Sequence, residues 1–134
     1  MIIEYTIILI LFSHFIADFI CQSQKMAINK SSSNVWLTIH VLVYTLTMLP
    51  VAMFLDYLLG GELSSWFIGN KIQTGICKWW LFNGFVHWGV DFMTSKLTKY
   101  LWTNKKERLF FCVIGLDQFI HTATLIWSYV LFIQ

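Results

Sequence analysis

Hydrophobic residues dominate four long stretches of the chain, which are separated by shorter and more polar connections. The stretches cover residues 5–22, 35–59, 76–95 and 109–133. Each comes close to the ~20 apolar residues that a helix needs to cross the hydrocarbon core of a bilayer. Polar residues recur inside them at every fourth position, which is the period of a helix and not of a strand. The pattern predicts an all-α, polytopic membrane protein, in which residues 1–134 form one domain, a bundle of four transmembrane helices.

The composition agrees with a membrane location. Apolar residues make up 57% of the chain and charged residues 12%, and the mean hydropathy is +0.66. A soluble domain carries about 25% charged residues, so this chain cannot cover a water-facing surface. The formal net charge is only +2, without the concentrated basic face that nucleic-acid binding requires. The predicted partner is therefore the lipid bilayer, and nucleic acid is excluded.

Basic residues are distributed unevenly among the three connections. Seven lie in the first and third connections, and two lie in the second connection or just after it. The first group consists of Lys25, Lys30, Lys96, Lys99, Lys105, Lys106 and Arg108, and the second of Lys71 and Lys78. The positive-inside rule places the more basic side in the cytoplasm. We therefore expect both termini to lie outside the cytoplasm.

Each predicted helix contains one histidine, and three of the four histidines lie four residues from an aspartate. The pairs are His14/Asp18, His87/Asp91 and Asp117/His121, whereas the fourth histidine, His40, precedes Tyr44 by the same distance. Residues four apart share one face of a helix, and ionisable groups within a membrane face the bundle interior. Measured from the cytoplasmic ends of the helices, all seven His and Asp residues lie roughly 8 to 20 Å deep. The pattern predicts one polar layer in the cytoplasmic half of the membrane.

A weak internal repeat supports this arrangement. Residues 14–19 and 87–92 both have the pattern histidine, aromatic, two variable residues, aspartate, phenylalanine. Each is followed by a helix that carries one more histidine, and both cross the predicted membrane in the same direction. The repeat predicts two helical hairpins that are parallel repeats, related by an axis along the membrane normal.

These polar motifs also resemble those of a known family. They are His14-x-x-Ala17-Asp18-Phe19-x-x-Gln22, residues 26–30, His40-x-x-x-Tyr44, His87-x-x-x-Asp91 followed by Lys96, and Asp117-Gln118-x-x-His121. With them the chain resembles the domain-of-unknown-function 3307 family, which comprises small integral membrane proteins of bacteria and their phages. The resemblance covers nearly the whole chain. It implies a multi-pass protein of the bacterial cytoplasmic membrane. It also implies that these polar positions are signature positions of the family, and it supplies no mechanism.

Three interpretations of the polar layer compete. The first is a divalent transition metal, zinc before iron or manganese, because imidazole and carboxylate groups on facing helices suit these ions. Its expected ligands are His14, Asp18, His87, Asp91, Asp117 and His121, and possible additional site residues are His40, Tyr44, Gln22, Asn83 and Gln118. The second is a proton or ion relay. The third is a set of purely structural hydrogen bonds between helices.

The metal interpretation leads to an expected activity. A metal ion within reach of the cytosol suits hydrolysis or group transfer on an anionic or lipid substrate. Asp91 and Asp117 are then the candidate catalytic groups. Lys25, Lys30 and Lys96 would form a rim for the anionic substrate, although the positive-inside rule alone accounts for these lysines. We therefore expect a metal-dependent membrane hydrolase. The alternatives are a transporter or channel built as a homo-oligomer, and a phage-type effector that acts on a host membrane protein.

Overall fold

The computed structural model describes residues 2–60 and 71–133, and these residues are helical with short connections. The elements are α1 (Ile2–Phe15), a π-helical segment (Ile16–Ile20), α2 (Gln24–Asn29), α3 (Asn34–Leu58), α4 (Lys71–Thr103) and α5 (Glu107–Ile133). The prediction of an all-α chain is confirmed, since the described part contains no strand.

Two helices, α3 and α5, are long and apolar enough to cross a membrane, judged by length and composition. They contain 25 and 27 residues, and at about 1.5 Å per residue both exceed the ~30 Å thickness of a hydrocarbon core. They coincide with the second and fourth predicted spans. The four-span bundle and its division into parallel repeats stay predictions.

Two helical regions differ from the hydrophobic pattern. α4 continues to Thr103, although the third apolar stretch was expected to end at residue 95. Hydropathy indicates only which part of a helix can contact lipid. The helix itself continues into more polar sequence because residues there still pack against the bundle, as the buried Leu101 does. The first connection contains α2, which begins after Ser23, whose hydroxyl accepts a hydrogen bond from the Met26 backbone N–H (3.4 Å). This is an N-cap.

The first helical stretch changes its type half-way along. After α1 the backbone forms a π-helix, and the N–H of Cys21 donates to the carbonyl of Ile16, five residues earlier (2.9 Å). A π-turn holds more residues than an α-turn and rotates the following side chains relative to the preceding ones. Such turns occur frequently at functional sites. Here the segment contains the buried Ala17 and Asp18.

The helices enclose a core with an apolar part and a polar part. α4 packs against both α3 and α5, and α1 packs against α3 and α5. The buried apolar residues along the second half of α3 and the first half of α4 include Met48, Ala52, Leu55, Ile76 and Trp79, joined by Leu125 of α5. Towards the start of α3 the interior becomes polar, and it buries His14, Asp18, His40, His87, Asp91 and His121. The fold therefore gathers all four histidines into one region of the interior.

Candidate metal centre

Four potential ligand atoms meet at the centre of the polar region. They are Oδ1 of Asp18, Nε2 of His40, Nε2 of His87 and Oδ2 of Asp91. His40 Nε2 lies 3.2 Å from each of the other three atoms. His87 Nε2 lies 3.4 Å from the Asp18 oxygen and 3.8 Å from the Asp91 oxygen. None of the four residues is more than 4% exposed, so the atoms form a compact, desolvated group.

These separations suit coordination of a metal ion. Zinc binds histidine nitrogen and carboxylate oxygen at about 2.0–2.1 Å, and a tetrahedron with such bonds has ligand atoms about 3.3 Å apart. The five measured separations, from 3.2 to 3.8 Å, scatter around that edge length. Among the described residues, Asp18, His40 and His87 form one group that could hold a metal ion, and His87, Asp91 and His121 form another.

Three polar atoms of the cluster have no hydrogen-bond partner. They are Oδ1 of Asp18 and Nδ1 of both His40 and His87. A buried acceptor without a partner costs about 1–3 kcal/mol, and more when it is charged. The Asp18 oxygen points into the space between the two Nε2 atoms, where a bound cation would satisfy it.

The charges of the cluster favour a divalent cation. Asp18, Asp91 and Asp117 supply three carboxylates, and the Lys30 ammonium lies 2.7 Å from Asp91 Oδ2. With neutral histidines these four groups carry a net charge of two negative units. Buried charge that is not compensated costs several kcal/mol. A divalent cation neutralises the group without requiring any histidine to be protonated.

His87 is held in place from both sides. Its ring stacks on Tyr44 (centroids 3.9 Å apart, planes at 20°) and on His121 (4.1 Å, 21°). His121 Nε2 in turn lies 3.3 Å from Asp91 Oδ1 and 3.5 Å from Asp117 Oδ1. A ring packed in this way keeps its Nε2 atom directed at the centre, which is the preorganisation that a metal ligand needs.

Gln118 connects two parts of the site. Its Nε2 donates to Asp18 Oδ2 (2.8 Å) and to Asp117 Oδ2 (3.1 Å). Its Oε1 accepts from His14 Nε2 (3.3 Å), and His14 Nδ1 accepts from the Tyr44 hydroxyl (3.2 Å). This assignment follows because Oε1 of the amide can only accept, so the neutral ring must donate from Nε2. Both nitrogens of His14 are therefore engaged within the bundle.

The structure distributes the predicted site residues over different places. His40, expected only as an additional residue, belongs to a three-residue group, whereas His14 and Asp117 lie in neither group of the described residues. Gln22 lines the adjoining cavity. Asn83 lies outside the cluster, where its Nδ2 donates to Ser128 Oγ (2.8 Å) and stabilises helix packing.

The three lysines of the predicted basic rim lie in different surroundings. Lys30 contacts Asp91 directly, a contact that nothing in the sequence pattern indicates. Lys25 is exposed, and Lys96 Nζ lies over the ring of Phe92 (3.2 Å to its centroid). Lys99 lines the cavity and donates to Ser32 Oγ (2.8 Å). Of the predicted rim residues, Lys30 is the one that forms an ion pair with the cluster among the described residues.

A cavity of about 760 Å³ adjoins the cluster. This volume is typical of small-molecule sites, which range from about 300 to 1,000 Å³. The polar lining includes Asp18, Lys30, Asp91, Asp117 and Gln118. The apolar lining includes Phe19, Ile28, Trp102, Phe110, Phe111 and Ile114. The two carboxylates of the centre thus face the cavity, and His40 and His87 lie behind them.

A sequence profile described as protein of unknown function (DUF3307) matches residues 6–134. The chain belongs to this family. The match contains every residue of the cluster, so the resemblance drawn from the separated motifs is confirmed. No curated protein and no solved structure matches the chain.

Proposed function

We propose that the protein is a metal-dependent membrane enzyme whose metal ion is bound by Asp18, His40 and His87, with zinc as the preferred ion. The observation that carries this proposal is the convergence of these three ligand atoms, 3.2 to 3.4 Å apart, beside a cavity that Asp18 lines. Structural zinc sites have four protein ligands and are closed, whereas catalytic sites have three and keep one position open. A metal ion in front of His40 and His87 would face the cavity.

Asp91 stands at the exchangeable fourth corner. Its Oδ2 has the longest separation in the group, 3.8 Å from His87 Nε2, and the same oxygen is held by Lys30 at 2.7 Å. We propose that a water molecule takes this corner and donates a hydrogen bond to Asp91. Metal binding lowers the pKa of such a water towards neutrality. Asp91 would take up its proton as the water oxygen attacks an ester or phosphoester, and that proton would reach the leaving oxygen through the Asp117 carboxylate, which lines the cavity.

Proton or ion transport is the weaker candidate. The polar contacts extend along α3 from His40 to Tyr44, and the next buried positions are Met48, Ala52 and Leu55. Asp56 follows twelve residues after Tyr44, about 18 Å along the helix. Within the described residues, this apolar layer separates the cluster from the other end of the bundle. A relay would have to cross it through the side chains of Asn83, Ser128 and Tyr129, because no described residue buried in this layer is a histidine or a carboxylate.

The first test is metal content. Protein purified in detergent without chelators should contain one divalent ion per chain, and a cobalt(II)-substituted sample should show the strong visible absorption of four-coordinate cobalt. The His40→Ala variant should lose both signals, while Asn83→Ala, a matched change outside the cluster, should keep them. A folded protein that binds no stoichiometric metal would refute the proposal.

Activity is tested on the metal-loaded protein. Products released from a panel of lipid and soluble esters and phosphoesters should depend on metal, and Asp117→Asn should keep the metal but lose turnover. Protein-loaded liposomes provide the opposing measurement. Proton or ion flux without any chemical product would replace the enzyme with a relay.

We further propose four membrane spans with both termini outside, which puts the mouth of the cavity near the cytoplasmic face. The test starts from a variant without the native cysteines Cys21, Cys77 and Cys112. A new cysteine beside Lys105 should resist an impermeant thiol reagent on intact cells, and one added after Gln134 should react. The reverse labelling would overturn this orientation.

A further inference from the structure

We infer that the cavity beside the cluster binds a lipid that carries a phosphate group, with its apolar chain along the aromatic wall and its phosphate at the polar end. This inference rests on the proposed function, because it names the substrate class of the same site. Three features of the cavity carry it: the composition of its walls, their continuity with the outer surface, and the charges at its polar end.

The cavity has an extended apolar lining. Phe19 of the π-helical segment and Ile28 of α2 contribute to it, together with Phe110, Phe111 and Ile114 of α5. Aromatic and branched side chains of this kind accommodate an acyl or other hydrocarbon chain. A wholly polar ligand would leave this wall unfilled, so the cavity is suited to an amphiphile.

The same walls continue onto the outer surface of the bundle. Phe19 is 46% exposed, Ile28 64% and Phe111 65%, although all three line the cavity. In a membrane protein, exposed aromatic and aliphatic side chains on such helices face lipid. A hydrocarbon chain can therefore enter sideways from the bilayer without crossing a polar barrier, whereas a soluble substrate gains nothing from this route.

The polar end favours an anionic headgroup. Lys30 and Lys99 both line the cavity, and the Lys99 ammonium is held by Ser32 Oγ at 2.8 Å. A divalent ion at the centre balances Asp18, Asp91 and Asp117 against Lys30, so Lys99 leaves this end with a positive charge. Lysine ammonium groups bind phosphate as point charges. A cationic headgroup would be repelled by Lys99, and a neutral one would leave the charge of Lys99 without a counter-ion.

The experiment uses two photoreactive probes in bilayers of phosphatidylcholine that contain the full-length protein. One is hexadecyl phosphate with a diazirine in its chain, and the other is the matched hexadecyl trimethylammonium compound. We expect the phosphate probe to label peptides that contain Phe19 and Phe111, saturably and at least several-fold more than the cationic probe. Excess unlabelled hexadecyl phosphate should abolish this labelling.

Variants distinguish the cavity from general contact with lipid. Ile114→Trp fills the cavity and should block labelling, whereas Leu116→Trp, at an exposed position of the same helix that does not line the cavity, should leave it unchanged. Replacing Lys30 and Lys99 together with glutamine should lower phosphate labelling several-fold. Equal labelling by both probes, or unchanged labelling of Ile114→Trp, would overturn the inference.

Metal content is measured on the same samples, so the two proposals fail separately. If metal is bound but labelling shows no preference for phosphate, the substrate class is wrong and the metal centre stands. If the phosphate probe labels the cavity of a protein that binds no metal, the cavity assignment stands and the proposed enzyme is wrong.

Discussion

The two histidine–aspartate motifs at residues 14–18 and 87–91 have the same spacing but different roles in the structure. In α4, His87 and Asp91 both direct ligand atoms at the centre of the cluster. In the first motif only Asp18 does so, and His14 instead contacts Tyr44 and Gln118. Equal spacing therefore identifies the candidate residues but not the ligands.

The π-helical segment accounts for the difference. It begins at Ile16, after His14, and contains Asp18, so the two side chains are not related by an ordinary α-helical turn. His40 of α3 takes the place beside Asp18 that His14 leaves open, at 3.2 Å. Each motif carboxylate also has a donor from elsewhere in the chain, Gln118 for Asp18 and Lys30 for Asp91. These contacts can be tested one at a time.

The largest effect is expected from replacing His40 and His14, one at a time, with alanine. These are the two histidines whose roles the sequence pattern does not distinguish. His40→Ala should lower metal affinity more than about 100-fold, because it removes a ligand. His14→Ala should lower it at most about 10- to 100-fold, as changes around a ligand typically do. Competition with a chromophoric chelator measures both. Equal losses would show that His14 binds the metal ion as His40 does.

The second largest effect is expected at Lys30, which donates to Asp91 of the motif at residues 87–91. Lys30→Gln leaves the carboxylates of the metal-free protein without their ammonium partner. The free energy of unfolding should fall by up to about 3 kcal/mol. A wholly buried ion pair would cost more, but Lys30 is partly exposed. Added metal should restore most of this loss, since the cation supplies positive charge in place of the missing ammonium group. Thermal unfolding with and without metal measures the change. Lys96→Gln is the matched control, and an equal effect there would remove Lys30 from the site.

The third effect is expected at Gln118, which donates to Asp18 of the motif at residues 14–18. Gln118→Ala removes the amide that holds Asp18 Oδ2 at 2.8 Å, and the carboxylate becomes free to turn away from His40. Metal affinity should fall about 10- to 100-fold, as for other groups that orient a ligand. Gln118→Glu tests the donor itself, because it keeps the size but replaces the amide with a repelling carboxylate. Unchanged affinity in both variants would mean that the π-helical segment alone positions Asp18.

The smallest effect lies outside both motifs. Asn83→Ala removes the hydrogen bond to Ser128 Oγ, and should cost roughly 0.6–1.7 kcal/mol of stability, the range for such bonds between membrane helices. Metal affinity should stay at the wild-type value. Denaturation in detergent and the chelator titration separate the two quantities. A loss of metal would extend the site into the other half of the bundle.

The sequence by itself determined the helical fold and the members of the polar layer. Both depend on local patterns: apolar runs of about 20 residues, and polar residues that recur with the helical period. His14, Asp18, His87, Asp91 and His121 were all expected in the interior, and all are buried there. The same local information could not fix the end of α4, because helix formation continues where the hydrophobic pattern stops.

Only the tertiary structure decided which of these residues lie together at the centre. His40 approaches Asp18, and Lys30 approaches Asp91, across distances of 22 and 61 residues in the chain. Such contacts depend on the rotation of each helix about its axis and on the register between helices. A single π-turn at Ile16–Ile20 changes that rotation, and neither hydropathy nor residue spacing records it. The ligand set is therefore a property of helix packing, which the periodicity of one helix cannot specify.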